Sequence, residues 1–397
     1  MEKTRIKGNV HYVGVNDRNK HRFEAMWPLP YGVSYNSYLI DDEMVALVDT
    51  VDICYFEVYL RKIKQVIGER PINYLIINHM EPDHSGSIRL IKQHYPEIII
   101  VGNKQTFGMI EGFYGVTGEQ YLVKEGDFLA LGHHKLRFYM TPMVHWPETM
   151  MTFDETDGVL FSGDGFGCFG TVDGGFLDTR INVDKYWGEM VRYYSNIVGK
   201  YGSPVQRALQ KLGGLPISAI CSTHGPVWTE NIAKVIGIYD RLSRYDADEG
   251  VVIAYGSMYG NTEQMAEAIA EELSAQGVKN ILMHNVTKSH PSYIIADIFR
   301  YKGLIIGSPT YSNQIFPEVE SLLSKILVRE VKGRYLGYFG SFAWAGAAVK
   351  RMAEFAEKSK FELVGDPVEM KQAMRDITYT QCENLAHAMA ERLKKDR

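Results

Sequence analysis

The feature that most constrains the fold is a regular alternation of strand-like and helix-like segments after residue 250 of the 397-residue chain. The strand-like runs are "VVIAY", "NILMHNV", "GLIIGSP", "RYLGYFGS" and "FELVGD". Helical patterns begin near Thr262, Pro291, Pro317, Gly346 and Val368. Alternation of this kind is typical of a parallel sheet with helices on both faces, so we expect a doubly wound α/β domain here.

A single hydrophobic core stops growing near roughly 250 to 300 residues, so a chain of this length is expected to form two domains. The local composition changes at "RYDADEG", residues 244–250, where a charged stretch ending in glycine precedes the apolar run "VVIAY". We therefore predict domains at 1–248 and 249–397. The first is expected to combine mixed sheets with flanking helices, because strand-like runs predominate and helical patterns are clearest at residues 53–67, 185–199 and 203–212.

Composition narrows the class of protein. The net charge of -5 argues against a nucleic-acid-binding surface as the main function. The amino terminus "MEKTRIKGNVHYVGV" has no apolar signal region and no apolar run reaches membrane-spanning length, so we expect a cytoplasmic protein without a membrane partner. Cys54, Cys168, Cys221 and Cys382 form no C-x-x-C pair, and we expect them to be buried free thiols.

Ligand-type side chains crowd the stretch "NHMEPDHSG", residues 78–86, directly after the apolar run "INYLII". One interpretation is a polar loop with solvated histidines. Further histidines and an aspartate, however, follow the strand-like runs "LRFYMTP", "GVLFSG" and "ISAICST", and loops at the carboxyl ends of neighbouring strands converge. This repetition favours a metal site, whose candidate catalytic and ligating residues are His79, Glu81, Asp83, His145, Asp164 and His224.

The candidate ligands comprise three imidazoles and three carboxylates. Imidazole suits zinc, copper and iron, while additional carboxylates shift the preference toward iron and manganese. Two divalent ions with one bridging hydroxide would balance the three carboxylates, whereas a single ion would leave negative charge uncompensated in a buried place. The residues therefore favour a dinuclear site.

The order H-x-E-x-D-H followed by distant His, Asp and His resembles the metallo-β-lactamase-like domain of flavodiiron proteins, also called A-type flavoproteins. The resemblance implies an αββα sandwich with non-haem iron, since Glu81 replaces the histidine of the zinc hydrolases in that superfamily. It implies one iron on His79, Glu81 and His145, a second on Asp83 and His224, and Asp164 as the bridge. We treat His84 as a neighbour of the ligands rather than a ligand.

A glycine-rich motif, "GFGCFG" at residues 165–170, matches the G-x-G-x-x-G pattern of dinucleotide-binding loops. The segment that follows, "TVDGGFLDTR", has no helical apolar period and two further glycines. Without a helix amino terminus no pyrophosphate site is available, so we interpret the motif as a flexible turn that carries Asp164 into the metal site.

The second domain opens with "YGSMYGNTEQMAEAIA" directly after its first strand. A strand, a small hydroxyl-rich loop and a helix offer backbone N–H groups and a positive helix end to a phosphate. The pattern S-x-x-G-N-T resembles the flavodoxin phosphate loop, which implies FMN, although Tyr259 departs from the usual small hydroxyl residue. Trp344 is the candidate for packing beside the isoalloxazine, against the alternative of ordinary packing. The predicted FMN-binding residues are Ser257, Met258, Tyr259, Gly260, Asn261, Thr262, Ser308, Pro309, Thr310, Tyr311, Asn313, Ser341, Phe342, Ala343, Trp344, Ala345 and Gly346.

Both resemblances together imply a flavodiiron oxidoreductase that reduces dioxygen to water, nitric oxide to nitrous oxide, or both. The implied donor is a rubredoxin or reduced deazaflavin, and the implied assembly is a head-to-tail homodimer or a dimer of such dimers. The alternatives are a zinc hydrolase with a flavodoxin module and a non-enzymatic electron carrier. Glu24 stands where relatives often carry a histidine, and Tyr193 and Tyr194 are either neighbours of the metal site or packing residues.

Overall fold

The computed structural model describes residues 3–396. The chain forms two compact units. Unit 1 runs to Tyr194 and continues over Tyr201–Ser243, and unit 2 combines Ser195–Lys200 with the chain from Arg244 onward. The passage from Ser243 to Arg244 lies a few residues before the expected boundary, and the domain limits 1–248 and 249–397 stay a prediction.

Unit 1 contains short strands and seven α-helices within its described residues. The helices are α1 Phe56–Ile67, α2 Pro82–Ser85, α3 Ile88–His94, α4 Lys104–Tyr114, α5 Asp184–Tyr193, α6 Gly202–Leu212 and α7 Ile232–Ser243. The strands are β1 Arg5–Lys7, β2 Val10–Tyr12, β3 Val15–Asp17, β4 Arg22–Phe23, β5 Trp27–Pro28, β6 Val33–Tyr35, β7 Tyr38–Ile40, β8 Ala46–Val48, β9 Tyr74–Ile76, β10 Ile99–Gly102, β11 Gln120–Leu122, β12 Phe128–Ala130, β13 Lys135–Met140, β14 Met150–Asp154, β15 Val159–Gly163 and β16 Ala219–Ser222.

Two mixed sheets build unit 1. The first has the order β1-β2-β7-β8-β9-β10-β11 and the second β12-β13-β14-β15-β16, while β3 pairs with β6 and β4 with β5. Tyr38 and Ile76 of the first sheet share one hydrophobic core with Phe138 and Phe161 of the second. Side chains that alternate along each strand place one face of each sheet in this core.

The three helical patterns predicted for unit 1 coincide with helical turns, with differences at their ends. A 3₁₀ turn at Ile53–Tyr55 leads into α1, and α5 continues into a π-helical turn at Tyr194–Val198. Helix α1 buries an apolar stripe at helical spacing, which is the pattern of a helix packed on a sheet. Its buried residues are Phe56, Tyr59, Ile63, Val66 and Ile67.

Unit 2 is a parallel sheet with helices between its strands. Its strands are β17 Asp248–Tyr255, β18 Ile281–Asn285, β19 Tyr301–Tyr311, β20 Gln314–Ile315, β21 Tyr335–Phe342, β22 Glu362–Leu363 and β23 Val368–Lys371. Its helices are α8 Asn261–Ala275, α9 Pro291–Arg300, α10 Pro317–Val328, α11 Ala348–Ser359 and α12 Asp376–Lys394. The order β18-β17-β19-β21, with β22 and β23 both parallel to β21, confirms the predicted doubly wound sheet.

Two expectations from the sequence are wrong. The helix predicted to begin near Val368 is replaced by strand β23, and α12 begins only at Asp376. Cys54 is exposed, whereas Cys168, Cys221 and Cys382 are buried and all four are free. Cys54 lies in the 3₁₀ turn before α1, where its amide donates to the Asp52 side chain.

Among residues 3–396, no helix combines the length and the apolar character that a membrane crossing requires. The glycine motif at residues 165–170 is followed by turns, and the next helix is α5 at Asp184–Tyr193. A helix amino terminus for a pyrophosphate is therefore missing directly after this motif, as predicted.

Candidate metal centre and flavin site

Strand ends of unit 1 deliver the predicted ligands to one place. His79 and Glu81 follow β9, and Asp83 lies in the short helix α2. The loop after β13 carries His145, and the turns after β15 and β16 carry Asp164 and His224. All six residues are buried. The fold thus brings together every ligand that the sequence predicted.

The ligand atoms form two groups. The first consists of His79, Glu81, His145 and Asp164, and the second of Asp83, His84 and His224. In the first group, His145 Nε2 lies 3.1 Å from Glu81 Oε2 and 3.0 Å from Asp164 Oδ2, and His79 Nε2 lies 3.4 Å from Glu81 Oε2. Two imidazole nitrogens and two carboxylate oxygens therefore converge on one point.

Asp164 joins the two groups. Its Oδ2 faces the first group, and its Oδ1 lies 3.0 Å from His84 Nε2 and 3.9 Å from His224 Nε2 in the second. Asp83 completes the second group, with Oδ2 at 3.3 Å from His224 Nε2 and Oδ1 at 3.3 Å from His84 Nε2. One carboxylate that presents an oxygen to each group has the geometry of a bridge between two metal ions.

The structure places His84 among the candidate ligand atoms. We expected this residue to neighbour the ligands without binding metal, and that expectation stays a prediction; its ring is fully buried and its Nε2 lies 3.3 Å from Asp83 Oδ1 and 3.0 Å from Asp164 Oδ1. The sequence motif contains the residue but not the direction of its ring, because α2 is a single turn whose orientation depends on the surrounding loops.

Unpaired polar atoms show that the site fits metal ions. Several buried ligand atoms have no hydrogen-bond partner among the described residues, namely His79 Nε2, both carboxylate oxygens of Asp83, both ring nitrogens of His84 and His224 Nε2. Buried polar atoms without partners are costly, so atoms that are aimed together in this way fit a bound cation. The mixed N and O donor set suits iron.

The charges of the site are tightly coupled. Burial alone would raise the pKa of Asp164, but the imidazoles of His79 and His84 outweigh it and hold the pKa well below its ordinary value. Burial would lower the pKa of His145, yet its hydrogen bonds with Asp164 and Glu81 raise it to about 9. The Asp164 carboxylate therefore stays ionised, and the proton held by His145 is one that a metal ion would displace.

Contacts behind the ligands hold them in place. His79 Nδ1 lies 3.1 Å from Glu148 Oε1, and His224 Nδ1 lies 2.7 Å from the carbonyl oxygen of Ser34. The hydroxyl of Thr223 donates to Asp164 Oδ1 at 2.5 Å. Outer contacts of this kind fix ring orientation and tune ligand strength. Sequence patterns did not identify Glu148, which shares the loop after β13 with His145 and lies 69 positions from its contact His79 in the chain.

A cavity of 660 Å³ opens above the ligands, and Glu81 and Asp83 reach its wall. Glu24 also lines the cavity, where its Oε2 accepts a hydrogen bond from Trp27 Nε1 at 2.8 Å. Burial, assisted by the charge of Glu81, raises the pKa of Glu24. The cavity offers space for a small substrate beside the candidate metal positions.

Tyr193 and Tyr194 differ in their surroundings. Tyr193 is fully buried with its ring centroid 5.6 Å from that of His224, and its hydroxyl has no hydrogen-bond partner within residues 3–396. Tyr194 packs edge-on against Tyr239 at 5.0 Å. Tyr193 is therefore the tyrosine that adjoins the metal site.

Unit 2 has a cavity of 420 Å³ at the carboxyl edge of its sheet. It lies beside the loop between β17 and α8, where Gly260 adopts a φ of 89° and caps the start of the helix. Most of the predicted FMN-binding residues line it, namely Met258, Tyr259, Asn261, Pro309, Thr310, Tyr311, Asn313, Ser341, Phe342, Ala343, Trp344 and Ala345.

The other predicted residues support the walls of this cavity. Ser257 Oγ accepts a hydrogen bond from the Gly260 amide at 3.1 Å, and the hydroxyls of Thr262 and Ser341 lie 2.8 Å apart. Ser308 Oγ accepts from the Phe316 amide at 3.2 Å. A side chain at Gly346 would collide with Glu369. These contacts hold the loops in the positions that form the cavity.

Two large aromatic side chains show that the cavity fits a planar ring system. Tyr259 is 89% exposed and Trp344 is 83% exposed, although both line the cavity. Exposed aromatic groups around a concave site are typical of ligand binding. Ser312 and Gln372 also line the cavity but were not predicted from the sequence. Gln372 follows β23, in a segment where the sequence pattern predicts a helix.

Comparison with known proteins agrees with both sites. Residues 33–225 match the family model described as ODP family beta lactamase, and residues 253–384 match the model described as Flavodoxin. The anaerobic nitric oxide reductase flavorubredoxin of Vibrio vulnificus (strain YJ016) is 32% identical over 363 residues, which cover 90% of this chain and 73% of that protein.

Solved structures extend the likeness to the whole described fold. Rubredoxin oxygen:oxidoreductase from Desulfovibrio gigas superposes with a TM-score of 0.94 at 30% identity, covering 98% of this chain and 97% of that chain. The flavodiiron protein from Giardia intestinalis gives 0.93 at 26% identity, with 98% and 95% covered. The fold and site define an oxidoreductase built from a metallo-β-lactamase-like domain and a flavodoxin-like domain. The chain belongs to the flavodiiron protein family.

Proposed function

We propose that this protein reduces dioxygen to water, nitric oxide to nitrous oxide, or both, with electrons passed through FMN from a separate donor protein. The observation that carries the proposal is Asp164, which presents one carboxylate oxygen to each of two groups of buried ligand atoms. Two iron ions and FMN, when bound, supply the electrons that reduction of dioxygen requires. The Vibrio relative is named a nitric oxide reductase and the Desulfovibrio relative an oxygen oxidoreductase.

The protein's own side chains have distinct parts in this proposal. We assign His79, Glu81 and His145 to one iron and Asp83 and His224 to the other, with Asp164 as the bridge. His84 joins the second set, because its Nε2 lies within 3.3 Å of Asp83 and Asp164 oxygens. The buried walls keep bulk water from the ligands, and Glu24 lies in the cavity where a proton-bearing group could face the substrate.

Two alternative functions are less well supported. A zinc hydrolase of the metallo-β-lactamase kind would favour histidine at Glu81 and does not need a flavin cavity. A non-enzymatic electron carrier would use only unit 2 and would leave the unpaired ligand atoms of unit 1 without a purpose. Family membership supports the oxidoreductase over both.

The proposal includes the partners of the enzyme. The donor is a rubredoxin, supported by the name of the Desulfovibrio relative, with reduced deazaflavin as the alternative. The working unit is a head-to-tail homodimer, or a dimer of such dimers, because closed dimers are the commonest assembly of soluble chains. A cytoplasmic location belongs to the same proposal and is supported by the four free cysteines.

The deciding experiment compares turnover with oxygen and with nitric oxide under otherwise identical conditions, using one reduced donor. Metal and flavin analysis of the same preparation accompanies it. We expect iron, FMN and consumption of at least one of the two gases. Zinc without gas consumption would favour the hydrolase, and FMN without metal would favour the electron carrier.

A further inference from the structure

Each of the two groups of candidate metal ligands contains a histidine whose Nδ1 donates away from the site, and the acceptors of these two hydrogen bonds differ. In both His79 and His224 the Nε2 atom faces the ligand oxygens, so Nδ1 is free to donate a hydrogen bond away from the site. His79 Nδ1 meets a carboxylate oxygen of Glu148 at 3.1 Å, whereas His224 Nδ1 meets the backbone carbonyl of Ser34 at 2.7 Å. One ring therefore donates to an anionic group and the other to a neutral one.

The contacts of Glu148 show that its Oε1 is an acceptor. The Met80 amide donates to this oxygen at 2.8 Å, so the same atom does not carry a proton toward His79. The side chain is 1% exposed, and Oε2 has no hydrogen-bond partner in the part of the chain that the structure describes. A buried carboxylate with so few donors is compensated only by positive charge nearby, which a metal-bound imidazole supplies.

A hydrogen bond to Asp164 also favours the first metal position over the second. The Thr223 hydroxyl donates to Asp164 Oδ1, the oxygen that faces the second group, at 2.5 Å. Oδ2, which faces the first group, lies 3.0 Å from His145 Nε2. A hydrogen bond withdraws charge from a carboxylate oxygen, so the second group receives the weaker share of the bridge.

We infer that Glu148 is a positioning residue that makes the two metal positions unequal. By accepting the Nδ1–H of His79 it increases the donor strength of Nε2, so the position formed by His79, Glu81 and His145 takes its ion before the position formed by Asp83, His84 and His224. This inference rests on the two-metal part of the proposed function and adds the order of loading and the residue that sets it.

The test is an anaerobic titration of the metal-depleted full-length protein with Fe²⁺ alone, in competition with a coloured chelator. We expect two ions per chain, bound in two separate steps. In Glu148→Gln the amide oxygen can still accept from the Met80 amide and from His79, so the shape is kept and only the charge is lost. The tighter step should weaken by about tenfold or more, and the weaker step should change little.

Two further variants identify the positions. Asp83→Asn should abolish the weaker step and leave the tighter one. Glu155→Gln is the matched control, since Glu155 is an exposed carboxylate of unit 1 that pairs with Arg137, and it should leave both steps unchanged. Circular dichroism and FMN content confirm that each variant is folded.

The outcomes separate the inference from the proposed function. Fewer than two ions per chain in the unmodified protein would contradict the two-iron enzyme itself. Two ions bound with equal affinity, or loss of the tighter step in Asp83→Asn, would overturn the inference and leave the enzyme intact. Equal weakening of both steps in Glu148→Gln would also overturn it. If Glu148→Gln fails to fold, the unmodified protein and Asp83→Asn still test the inferred order of loading, and equal affinities in the unmodified protein overturn the inference.

Discussion

Glu81 is the residue that we expect to decide which metal the site binds. Its Oε2 lies 3.1 Å from His145 Nε2 and 3.4 Å from His79 Nε2, so it supplies the hard oxygen donor of the first group. We predict that Glu81→His, which replaces that oxygen by a third imidazole nitrogen, shifts metal content from iron toward zinc and abolishes reduction of oxygen. Mass-spectrometric metal analysis of protein produced with ample iron and zinc measures the shift.

The control for this change is Glu97→His, which adds a histidine at an exposed position outside the ligand groups. It should retain iron and activity. A Glu81→His protein with full iron and full turnover would contradict the assignment of Glu81 as a ligand.

Single residues of the site could be predicted wherever ligand type and strand end coincide in the sequence. Asp164 and His224 follow apolar runs that become β15 and β16, and parallel pairing of these strands brings the two residues to one edge. Glu148 lies in the same loop as His145, but nothing in the sequence indicates its contact with His79, which only the fold creates. His84 lies in the motif, yet its ring direction depends on the setting of a single helical turn.

At the scale of elements, the position of α9 depends on one buried cation. The Arg334 side chain just before β21 donates from Nε to the Ile298 carbonyl at 2.6 Å and from Nη2 to the Phe299 carbonyl at 2.8 Å. These are carbonyls of the last turn of α9, which lack partners within the helix. Nη1 donates to further backbone carbonyls, those of Tyr245, Lys332 and Gly333.

We predict that Arg334→Met destabilises unit 2 by about 3 kcal/mol, because it removes a buried guanidinium that donates to several backbone carbonyls. Urea unfolding of the full chain, followed by release of FMN, reports on this unit without assuming two-state behaviour of the whole protein. Arg300→Met is the control, since its guanidinium is exposed and lies 3.9 Å from Asp248, and it should change stability by less than about 0.5 kcal/mol. Equal stabilities of the two variants would contradict the role of Arg334.

The spacing of apolar residues and the loop residues between the apolar runs predicted the elements of unit 2, with one exception. Strands β17, β18, β19 and β21 coincide with long apolar runs, whereas β23 has only Val368 and Met370 buried between exposed Glu369 and Lys371. The sequence after this short alternation is typical of a helix, so the whole segment was predicted to be helical. For the same reason Gln372, which follows β23 and lines the flavin cavity, was not predicted.

At the scale of the whole molecule, the source of electrons is the first open question. The donor in the proposed function is a rubredoxin that acts as a separate protein, which the name of the Desulfovibrio relative supports. We predict that reduced rubredoxin reduces the bound FMN rapidly in stopped-flow measurements and that NADH alone does so slowly. Fast reduction by NADH beside slow reduction by rubredoxin would contradict this donor.

The last prediction concerns the path of electrons in the proposed homodimer. We base this prediction on the sequence stretch "RYDADEG", residues 244–250, which is too short to serve as a long flexible linker. A head-to-tail dimer would instead pass electrons from the FMN of one chain to the irons of its partner. To test this, His79→Ala with Asp164→Ala removes metal ligands from one chain, and Asn261→Ala with Trp344→Ala removes flavin contacts from the other. Purified heterodimers should regain activity at one of their two sites, while both parent homodimers stay inactive. Heterodimers as inactive as the parents would show that electrons do not cross between chains.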